Sequence, residues 1–177
     1  MECFSDITGV VCRVTIKQLS DNDDIIREQA GVYVQDLCRS SVQRPSLDYD
    51  LVQANTDFEV LFEGLEGHFL CNAIAALQAA GQYKNSHAVN GQPLGYNSTI
   101  VFPIRKVLNA PLRRRVGDNR PWHDLVGFLC IDAKESAVFH DEEVDLAGMI
   151  ADLLFISLRP FLLPVEATDN VSDGQAN

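Results

Sequence analysis

The sequence has no long hydrophobic run and no leader-like start. Its 177 residues contain no apolar stretch that approaches the roughly 18–20 residues needed to cross a bilayer. The first residues, Met1-Glu2-Cys3-Phe4, lack the basic start and apolar stretch of a signal peptide. These absences predict a soluble, cytoplasmic chain and no membrane contact by this segment.

Cysteine is scarce and unpatterned. The five cysteines are odd in number and form no Cys-x-x-Cys pair, standing at Cys3, Cys12, Cys38, Cys71 and Cys130. Disulfide frameworks and zinc sites depend on ordered cysteine spacing, so we predict reduced thiols. The four histidines, at positions 68, 87, 123 and 140, have no metal-binding or catalytic spacing either. We therefore predict no metal site and no catalytic residue.

Basic residues are outnumbered, since 14 Lys and Arg stand against 25 Asp and Glu, for a formal net charge of −11. This charge repels nucleic acid on average, and we predict no nucleic-acid partner. Residues 105–120 are an exception, with six of the fourteen basic residues. They could contact an acidic partner, an anionic ligand or a phosphate surface, but we favour a solvated loop.

Two strands are predicted near the N-terminus of a chain whose 46% hydrophobic content suits one compact domain. Residues 9–19 are rich in β-branched side chains, and residues 31–38 suit a second strand after a polar turn at 20–24. Alternation in the first strand predicts two faces, one with Val11, Arg13, Thr15, Lys17 and Leu19 and the other with Cys12, Val14, Ile16 and Gln18.

The middle segment, residues 39–97, has no sustained alternation. Its one clear helical stretch covers residues 71–80, and Gly81 ends that helix as a C-terminal cap. Long irregular connections usually cover a binding surface. We therefore expect this segment to be the lid of a pocket.

Two apolar strands follow, over residues 98–105 and 125–132. Pro103 lacks a backbone N–H, which places its strand at an edge or a bulge, or places that position away from a neighbour. Gly127 allows another chain segment to approach closely.

A terminal helix completes the chain. It begins after Phe139 with carboxylates that favour a helix N-terminus. From Val144 to Leu158, the spacing of one apolar face predicts a helix packed on a sheet, that face being Leu146, Ile150, Leu153 and Ser157. Pro160 and Pro164 are expected to end the helix, and residues 166–177 to form a disordered tail.

The order of these elements resembles the GAF domain family. Tyr96-Asn-Ser-Thr-Ile-Val-Phe-Pro-Ile104 is similar to the family's strand that enters with Ser and ends with Pro-Ile. Leu125-Val-Gly-Phe-Leu-Cys-Ile-Asp132 is similar to its next strand, and Phe139 with the acidic helix start to its final transition. The resemblance covers residues 9–160. It implies an α+β, PAS-like fold with a central antiparallel sheet of about six strands, helices on one face and a pocket on the other.

Members of the family usually have a helix before the first strand, whereas almost nothing precedes Gly9 here. We expect residues 1–8 to be a truncated or linker start and residues 161–177 to be a polar C-terminal tail. The chain would then be the C-terminal domain of a longer protein. A terminal helix left uncovered predicts a homodimer through the terminal helices.

The resemblance implies a non-enzymatic sensory domain. It would bind a small molecule of unknown identity between the sheet and residues 39–97, and would signal to an attached or associated effector. Candidate ligand-binding residues combine aromatic and polar groups, as small-molecule cavities do: Arg39, Asn55, Phe58, Phe69, Cys71, Asn72, Tyr83, Asn85, Tyr96 and Ser98. The alternative, that the aromatics fill the core and the asparagines cap turns, stays open.

Other functions within the family remain possible interpretations. One is a ligand-free dimerisation or interaction module. Another is a thiol reductase of the free methionine sulfoxide type, for which Cys38 could approach Cys71. A cyclic-nucleotide site would use Asp132-Ala-Lys134 with Phe139 and Asp141-Glu142, but that pattern lacks the family's Asn and shortens its last spacing. The cofactor, if any, is unknown.

Overall fold

The structure of the chain is a computed structural model, and it describes residues 3–20, 31–40, 49–63, 66–88, 93–105 and 125–162. The strands are β1 (Cys12–Leu19), β2 (Tyr33–Arg39), β3 (Tyr49–Leu51), β4 (Phe69–Cys71), β5 (Ser98–Arg105) and β6 (Leu125–Ala133). The helices are α1 (Cys3–Thr8), α2 (Thr56–Phe62), α3 (Ile74–Ala79) and α4 (Asp141–Leu162), with a 3-10 helix at Val52–Ala54. None of these helices could span a membrane. The polar turn at 20–24, the basic loop and the C-terminal tail lie wholly or mainly outside the described residues.

The six strands form one antiparallel sheet in the order β3-β2-β1-β6-β5-β4. β1 and β6 lie at its centre and pair from Cys12 opposite Ala133 to Gln18 opposite Gly127. All nine residues of β6 are buried, because structure covers both faces of the sheet. The predicted α+β, GAF-like fold with a central antiparallel sheet is confirmed.

The alternation predicted for β1 separates two cores. Val14 and Ile16 join the larger core, which α1 and α4 cover. Phe128 on β6 belongs to the second core on the opposite face, where it stacks on Phe58 of α2 with ring centroids 4.8 Å apart. Only part of that second face is filled by apolar side chains. The remainder carries the polar residues of β1.

Gly127 and Pro103 lie at positions in the sheet that suit a glycine and a proline. A Cβ placed on Gly127 would lie 1.9 Å from the backbone oxygen of Lys17, so the glycine permits the close pairing of β1 and β6. Pro103 pairs with Phe128 on β6, while the pairing with β4 stops at Val101. The proline therefore lies beyond the point where β5 has a described neighbour on both sides.

α4 packs on the sheet through small residues. Ala147 and Ala151 are buried, and Gly148 lies against the ring of Phe102. The predicted buried face is therefore only partly right, since Leu153 is 63% exposed and Ser157 is exposed as well. Small side chains let the helix approach the sheet closely, and the buried line runs through Ala147, Ala151 and Phe155 instead.

The ends of α4 differ in how well the sequence predicts them. The backbone N–H of His140 donates to the Glu143 carboxylate at 2.8 Å, which confirms the acidic start as a capping interaction. The expectation that Pro160 ends the helix is wrong, because α4 continues to Leu162. A proline in a helix loses its N–H donor and crowds the carbonyl four residues earlier, and α4 continues for only two residues after Pro160.

The middle segment has more regular structure than its sequence pattern predicts. Cys71 pairs with Thr99 and ends β4, so the helix predicted from residue 71 begins only at Ile74. Gly81 has φ +71° and donates its N–H to the Gln78 carbonyl at 3.0 Å, which confirms the predicted cap. The short strands β3 and β4 carry too few residues to show alternation.

Residues 3–8, expected to be a truncated or linker start, form the helix α1. Phe4 is 2% exposed and lies in the same core as Phe155 of α4. This short helix therefore covers part of the sheet face on which α4 packs.

Candidate ligand-binding site

A cavity of about 390 Å³ lies between the polar part of the sheet and the middle segment. Its floor comes from the strands, through Arg13, Thr15, Lys17, Arg39, Asp50, Cys130 and Asp132. Its roof comes from the segments that cross above the sheet, through Asn55, Asp57, Phe58, Asn85, His87, Pro93, Leu94, Gly95 and Tyr96. A second cavity of about 360 Å³ adjoins it and shares Arg13, Gly95, Tyr96 and Asp132.

Strand register places the floor residues side by side. Thr15 lies opposite Arg39 on β2 and opposite Cys130 on β6. Arg13 and Lys17 follow at two residues on either side of Thr15, so their side chains leave the same face of the sheet. Three cationic side chains therefore surround one buried threonine.

Arg13 is held by a carboxylate on the neighbouring strand. Its Nη2 and Nε donate to Asp132 Oδ2 at 2.7 and 3.2 Å, and Thr99 Oγ1 donates to Asp132 Oδ1 at 2.8 Å. The guanidinium also lies 5.7 Å from the centre of the Tyr96 ring. Burial would lower the pKa of Arg13, but the charge and the hydrogen bonds of Asp132, with smaller effects of Tyr96 and Cys130, together raise it.

Lys17 joins two acidic residues at the other end of the floor. Its Nζ donates to Asp36 Oδ1 at 2.7 Å and to Asp50 Oδ2 at 2.6 Å. Arg39 forms an ion pair with Asp36 through Nε. These contacts connect β1, β2 and β3 by charge as well as by backbone pairing.

His87 connects the roof to the ion pairs of the floor. Its Nε2 lies 2.8 Å from Asp50 Oδ1, and Ser86 Oγ donates to the same oxygen at 3.1 Å. Burial would raise the pKa of Asp50, but the hydrogen bond from His87 and the charge of Lys17 hold it well below its ordinary value. The same hydrogen bond raises the pKa of His87. Both groups therefore favour their charged forms.

A second hydrogen-bond chain runs through the roof. Tyr83 donates to Asp57 Oδ2 at 3.0 Å and shares a hydrogen bond with the Tyr96 hydroxyl at 3.0 Å. Asn85 Nδ2 donates to that Tyr96 hydroxyl at 3.1 Å. Burial raises the pKa of Asp57 to about 6 and also raises those of both tyrosines. The chain fixes three roof segments relative to one another.

Five of the ten predicted ligand-binding residues line the cavity, namely Arg39, Asn55, Phe58, Asn85 and Tyr96. Asn55 is also structural, since its Nδ2 donates to the Leu51 carbonyl and its Oδ1 accepts from Ser86. Its side chain therefore shapes the roof as well as facing the cavity.

The other five predicted residues lie outside the cavity wall. Phe69 and Cys71 pack in apolar clusters, and Tyr83 supports the roof from behind. Asn72 donates to the Phe139 carbonyl at 2.6 Å and accepts from the Phe139 N–H at 3.0 Å. Ser98 donates to the Glu135 carbonyl at 2.7 Å. The last two residues connect the middle of the chain to the segment before α4.

Sequence reasoning missed most of the floor. Arg13, Thr15 and Lys17 share one face in the predicted alternation, yet they are absent from the predicted site. A polar face on a strand usually points to solvent. The available signal was a strand with two basic residues and a threonine on one face, followed by a long segment able to cover it.

The cysteines give little support for thiol chemistry. Cys38 on β2 and Cys71 on β4 are separated by three strands, roughly 19 Å at about 4.8 Å per strand, so the predicted approach of these two residues is wrong. Among the four cysteines with described side chains, Cys130 alone lines the cavity, and burial raises its pKa well above the ordinary value. The described residues contain no cluster able to hold a metal ion.

Solved structures share this fold. A type II free methionine-R-sulfoxide reductase from Thermoplasma acidophilum matches with TM-score 0.56 and 12% identity over 93% of this chain and 90% of that one. A far-red cyanobacteriochrome photoreceptor matches with TM-score 0.53 and 17% identity over 90% and 81%. A red/green cyanobacteriochrome in its red-light-absorbing state matches with TM-score 0.52 and 12% identity over 90% and 88%.

These likenesses confirm the expected GAF-like fold. No family model matches the chain, and no curated protein matches it either.

Proposed function

We propose that this chain is a non-enzymatic sensory domain that binds one small polar ligand in the cavity and passes the change to an attached or associated effector. The observation that carries the proposal is the cavity, whose volume of about 390 Å³ falls in the range of about 300–1,000 Å³ typical of small-molecule sites. The GAF-like fold, shared with two photoreceptors, supports the sensory part of the proposal.

The chemistry of the cavity wall supports a binding role. Partly buried ion pairs such as Lys17 with Asp50 contribute little stability compared with apolar residues of similar size. An apolar filling, like that of Phe58 on Phe128 nearby, would serve stability better. The polar wall therefore has its best explanation in recognition of a polar molecule.

A chain of contacts from the cavity to α4 supports signalling. Asp132 lies in the cavity wall, and the next residue, Ala133, accepts the Asn97 N–H at 2.8 Å. The Asn97 side chain donates to Ser136 at 2.5 Å, and Asn72 holds the backbone of Phe139. A displacement of the Asp132 end of β6 would therefore reach the first turn of α4.

The experiment compares native with denaturing mass spectrometry of the freshly purified chain and follows with thermal unfolding against a metabolite library. We expect an extra mass that is lost on denaturation, or a compound that raises the midpoint by several degrees, because a ligand that binds only the folded state stabilises it. Thr15→Leu should reduce the effect by filling the floor, whereas Lys84→Leu, at an exposed position outside the cavity wall, should not. If no extra mass is found and no compound stabilises the chain, the proposal is contradicted.

An interaction module is the second candidate, and one observation favours it. Met149, Leu153 and Ile156 are 60%, 63% and 69% exposed along α4. Their spacing of four and three residues places them on one helix face. Such a stripe is typical of a surface that a second protein covers. A homodimer through this helix is compatible with ligand binding on the other face of the sheet.

The non-enzymatic part of the proposal can be tested directly. A thiol reductase needs a reactive thiolate in its site, whereas burial keeps Cys130 protonated. Incubation with free methionine-R-sulfoxide and dithiothreitol should therefore give no methionine above the level of a Cys130→Ser control. Turnover that depends on Cys130 would show the enzyme interpretation to be correct.

A further inference from the structure

We propose that the floor of the cavity holds one anionic group of the ligand, a carboxylate or a singly charged phosphate, above Thr15 and between Arg13, Lys17 and Arg39. This inference deepens the proposed function and rests on it. It assigns the charge of the molecule that the cavity takes, and it assigns the place where that charge lies.

The donors on the floor are arranged around Thr15. Thr15 is buried, and no hydrogen bond joins its hydroxyl to another residue in the described ranges. Arg39 stands directly opposite it across the strand pair, and Arg13 and Lys17 flank it along β1. Directly opposed side chains lie about 5 Å apart at Cβ and diagonal ones about 7–8 Å. An anionic group over Thr15 would therefore be within reach of all three cations.

The carboxylates that line the floor already accept hydrogen bonds from protein groups. Asp132 accepts from Thr99 with one oxygen and from Arg13 with the other. Asp50 likewise accepts from Ser86 with Oδ1 and from Lys17 with Oδ2. The carboxylates of the floor are thus occupied by protein donors. A cationic ligand group there would have to share a carboxylate oxygen with a protein donor or displace that donor.

Arg13 and Arg39 keep N–H donors that do not take part in their ion pairs. Arg13 engages Asp132 through Nε and Nη2, which leaves Nη1 outside that pair. Arg39 faces Asp36 through Nε, and neither that Nε nor Asp36 Oδ2 makes a hydrogen bond within the described part of the chain. Its two terminal nitrogens lie beyond the ion pair. Carboxylates that fix arginines in this way orient the remaining donors toward a further anion.

Charge balance limits the anion to about one negative charge. The three cations of the floor face three carboxylates, from Asp36, Asp50 and Asp132, so the floor has no large excess of positive charge. A dianion or a polyphosphate would need such an excess. The roof above the floor adds the oppositely charged side chains of His87 and Asp57 and the amide and hydroxyl groups of Asn85 and Tyr96, which suit a polar remainder without net charge.

The test is an NMR titration of the ¹⁵N-labelled full chain at constant ionic strength. Four probes are compared: acetate, inorganic phosphate at pH 6, acetamide as the neutral counterpart of acetate, and methylammonium as a cation. The amide signals of Thr15 and Arg39 report binding at the floor. The variants are Arg39→Gln, Arg39→Lys and Arg13→Gln, with Arg105→Gln as a matched control outside the cavity wall.

We expect acetate or phosphate to shift the floor amides, with affinity at least tenfold weaker in Arg39→Gln than in Arg105→Gln. Arg39→Lys should recover part of the loss. If Arg39→Gln does not fold, Arg13→Gln gives the same comparison, because Arg13 is 44% exposed at its side chain. A preference for acetate or for phosphate identifies which of the two groups the ligand carries.

Two results would overturn the inference while leaving the proposed function intact. One is acetamide or methylammonium binding as tightly as the anions, and the other is equal affinity in Arg39→Gln and Arg105→Gln. If native mass spectra show a retained ligand and that ligand is uncharged or cationic, the inference is likewise overturned and the proposed function stands. If none of the four probes binds and native mass spectra show no ligand, the proposed function fails as well.

Discussion

Asp57 is a buried carboxyl group of the cavity wall whose pKa lies above its ordinary value. It lies in the first turn of α2, is buried, and accepts hydrogen bonds from the Tyr83 hydroxyl and the Phe58 N–H. Burial raises its pKa to about 6, although both hydrogen bonds oppose that change. At neutral pH the folded state therefore keeps a charge that the protein interior disfavours.

Asp57→Asn should remove a pH-dependent destabilisation. The folded pKa of about 6 exceeds the ordinary 3.8, so the folded state binds a proton more tightly and its stability falls as pH rises through this window. Above the window the cost reaches about 3 kcal/mol at most, at about 1.4 kcal/mol per pKa unit. In urea unfolding, the free energy of unfolding of the variant relative to the wild type should rise between pH 4 and pH 7 by up to this amount.

A difference in stability that does not change with pH would contradict this assignment. Tyr83→Phe provides the matched comparison. It removes the Tyr83 hydroxyl, whose hydrogen bond to Asp57 lowers the pKa that burial raises. In that variant the pH dependence should move to higher pH, since the carboxylate loses a stabilising donor.

Gly127→Ala should be among the most damaging single substitutions in the sheet. The added Cβ would lie 1.9 Å from the Lys17 oxygen, and backbone atoms cannot rotate away as a side chain can. We expect a loss of about 3 kcal/mol or more in the free energy of unfolding. Gly67→Ala, whose Cβ meets no atom within 4 Å, should change stability by no more than about 0.5 kcal/mol. Equal effects of the two substitutions in denaturant unfolding would show that β1 and β6 are less closely paired.

At the scale of elements, the strands with strong local patterns were predictable. β5 occupies Ser98–Arg105 as expected, and the alternation of β1 assigns its side chains to the correct faces. These predictions succeed because alternation depends only on local geometry. The ion pair of Lys17 with Asp50 joins residues 33 positions apart, and no local pattern encodes it. The floor of the site was missed for this reason.

α4 shows a different case, in which a pattern is present but only Leu146 and Ile150 of the predicted face pack on the core. Leu153 continues the apolar spacing begun by Leu146 and Ile150, yet it is exposed. The spacing of apolar residues takes account of polarity alone, whereas the packing of a helix on a sheet also depends on the size of the side chains. Ala147 and Ala151 are buried because they let the helix lie close to the sheet.

Asn72 connects the middle segment to the start of α4, and its removal should loosen that helix end selectively. Asn72→Ala deletes a donor to the Phe139 carbonyl and an acceptor for its N–H, which together stabilise the fold by about 2 kcal/mol. Hydrogen exchange should become faster at residues 139–144 and remain unchanged in β1 and β6. Gln82→Ala, at an exposed position, serves as the control. Faster exchange throughout the sheet would contradict a local role.

At the scale of the whole molecule, one pair of central strands serves both faces. β1 directs Thr15 and Lys17 into the cavity and Val14 and Ile16 toward the core under α4. A ligand that shifts the side chains of one face must act on the backbone shared with the other. The proposed signal would therefore pass from the cavity to the core under α4 through the backbone of β1.

The exposed stripe leads to a testable expectation about the oligomeric state of this chain. If a second copy covers Met149, Leu153 and Ile156, sedimentation velocity should give a dimer for the wild type and a monomer for Leu153→Lys. The thermal midpoint extrapolated to low concentration should hardly change, because the Leu153 side chain is mostly exposed within one protomer. Gln82→Lys makes the same charge change of one positive unit at an exposed position outside α4 and should stay dimeric. A monomeric wild type, or a Leu153→Lys variant that remains dimeric, would contradict a homodimer through this stripe and leave the ligand proposal for the cavity unaffected.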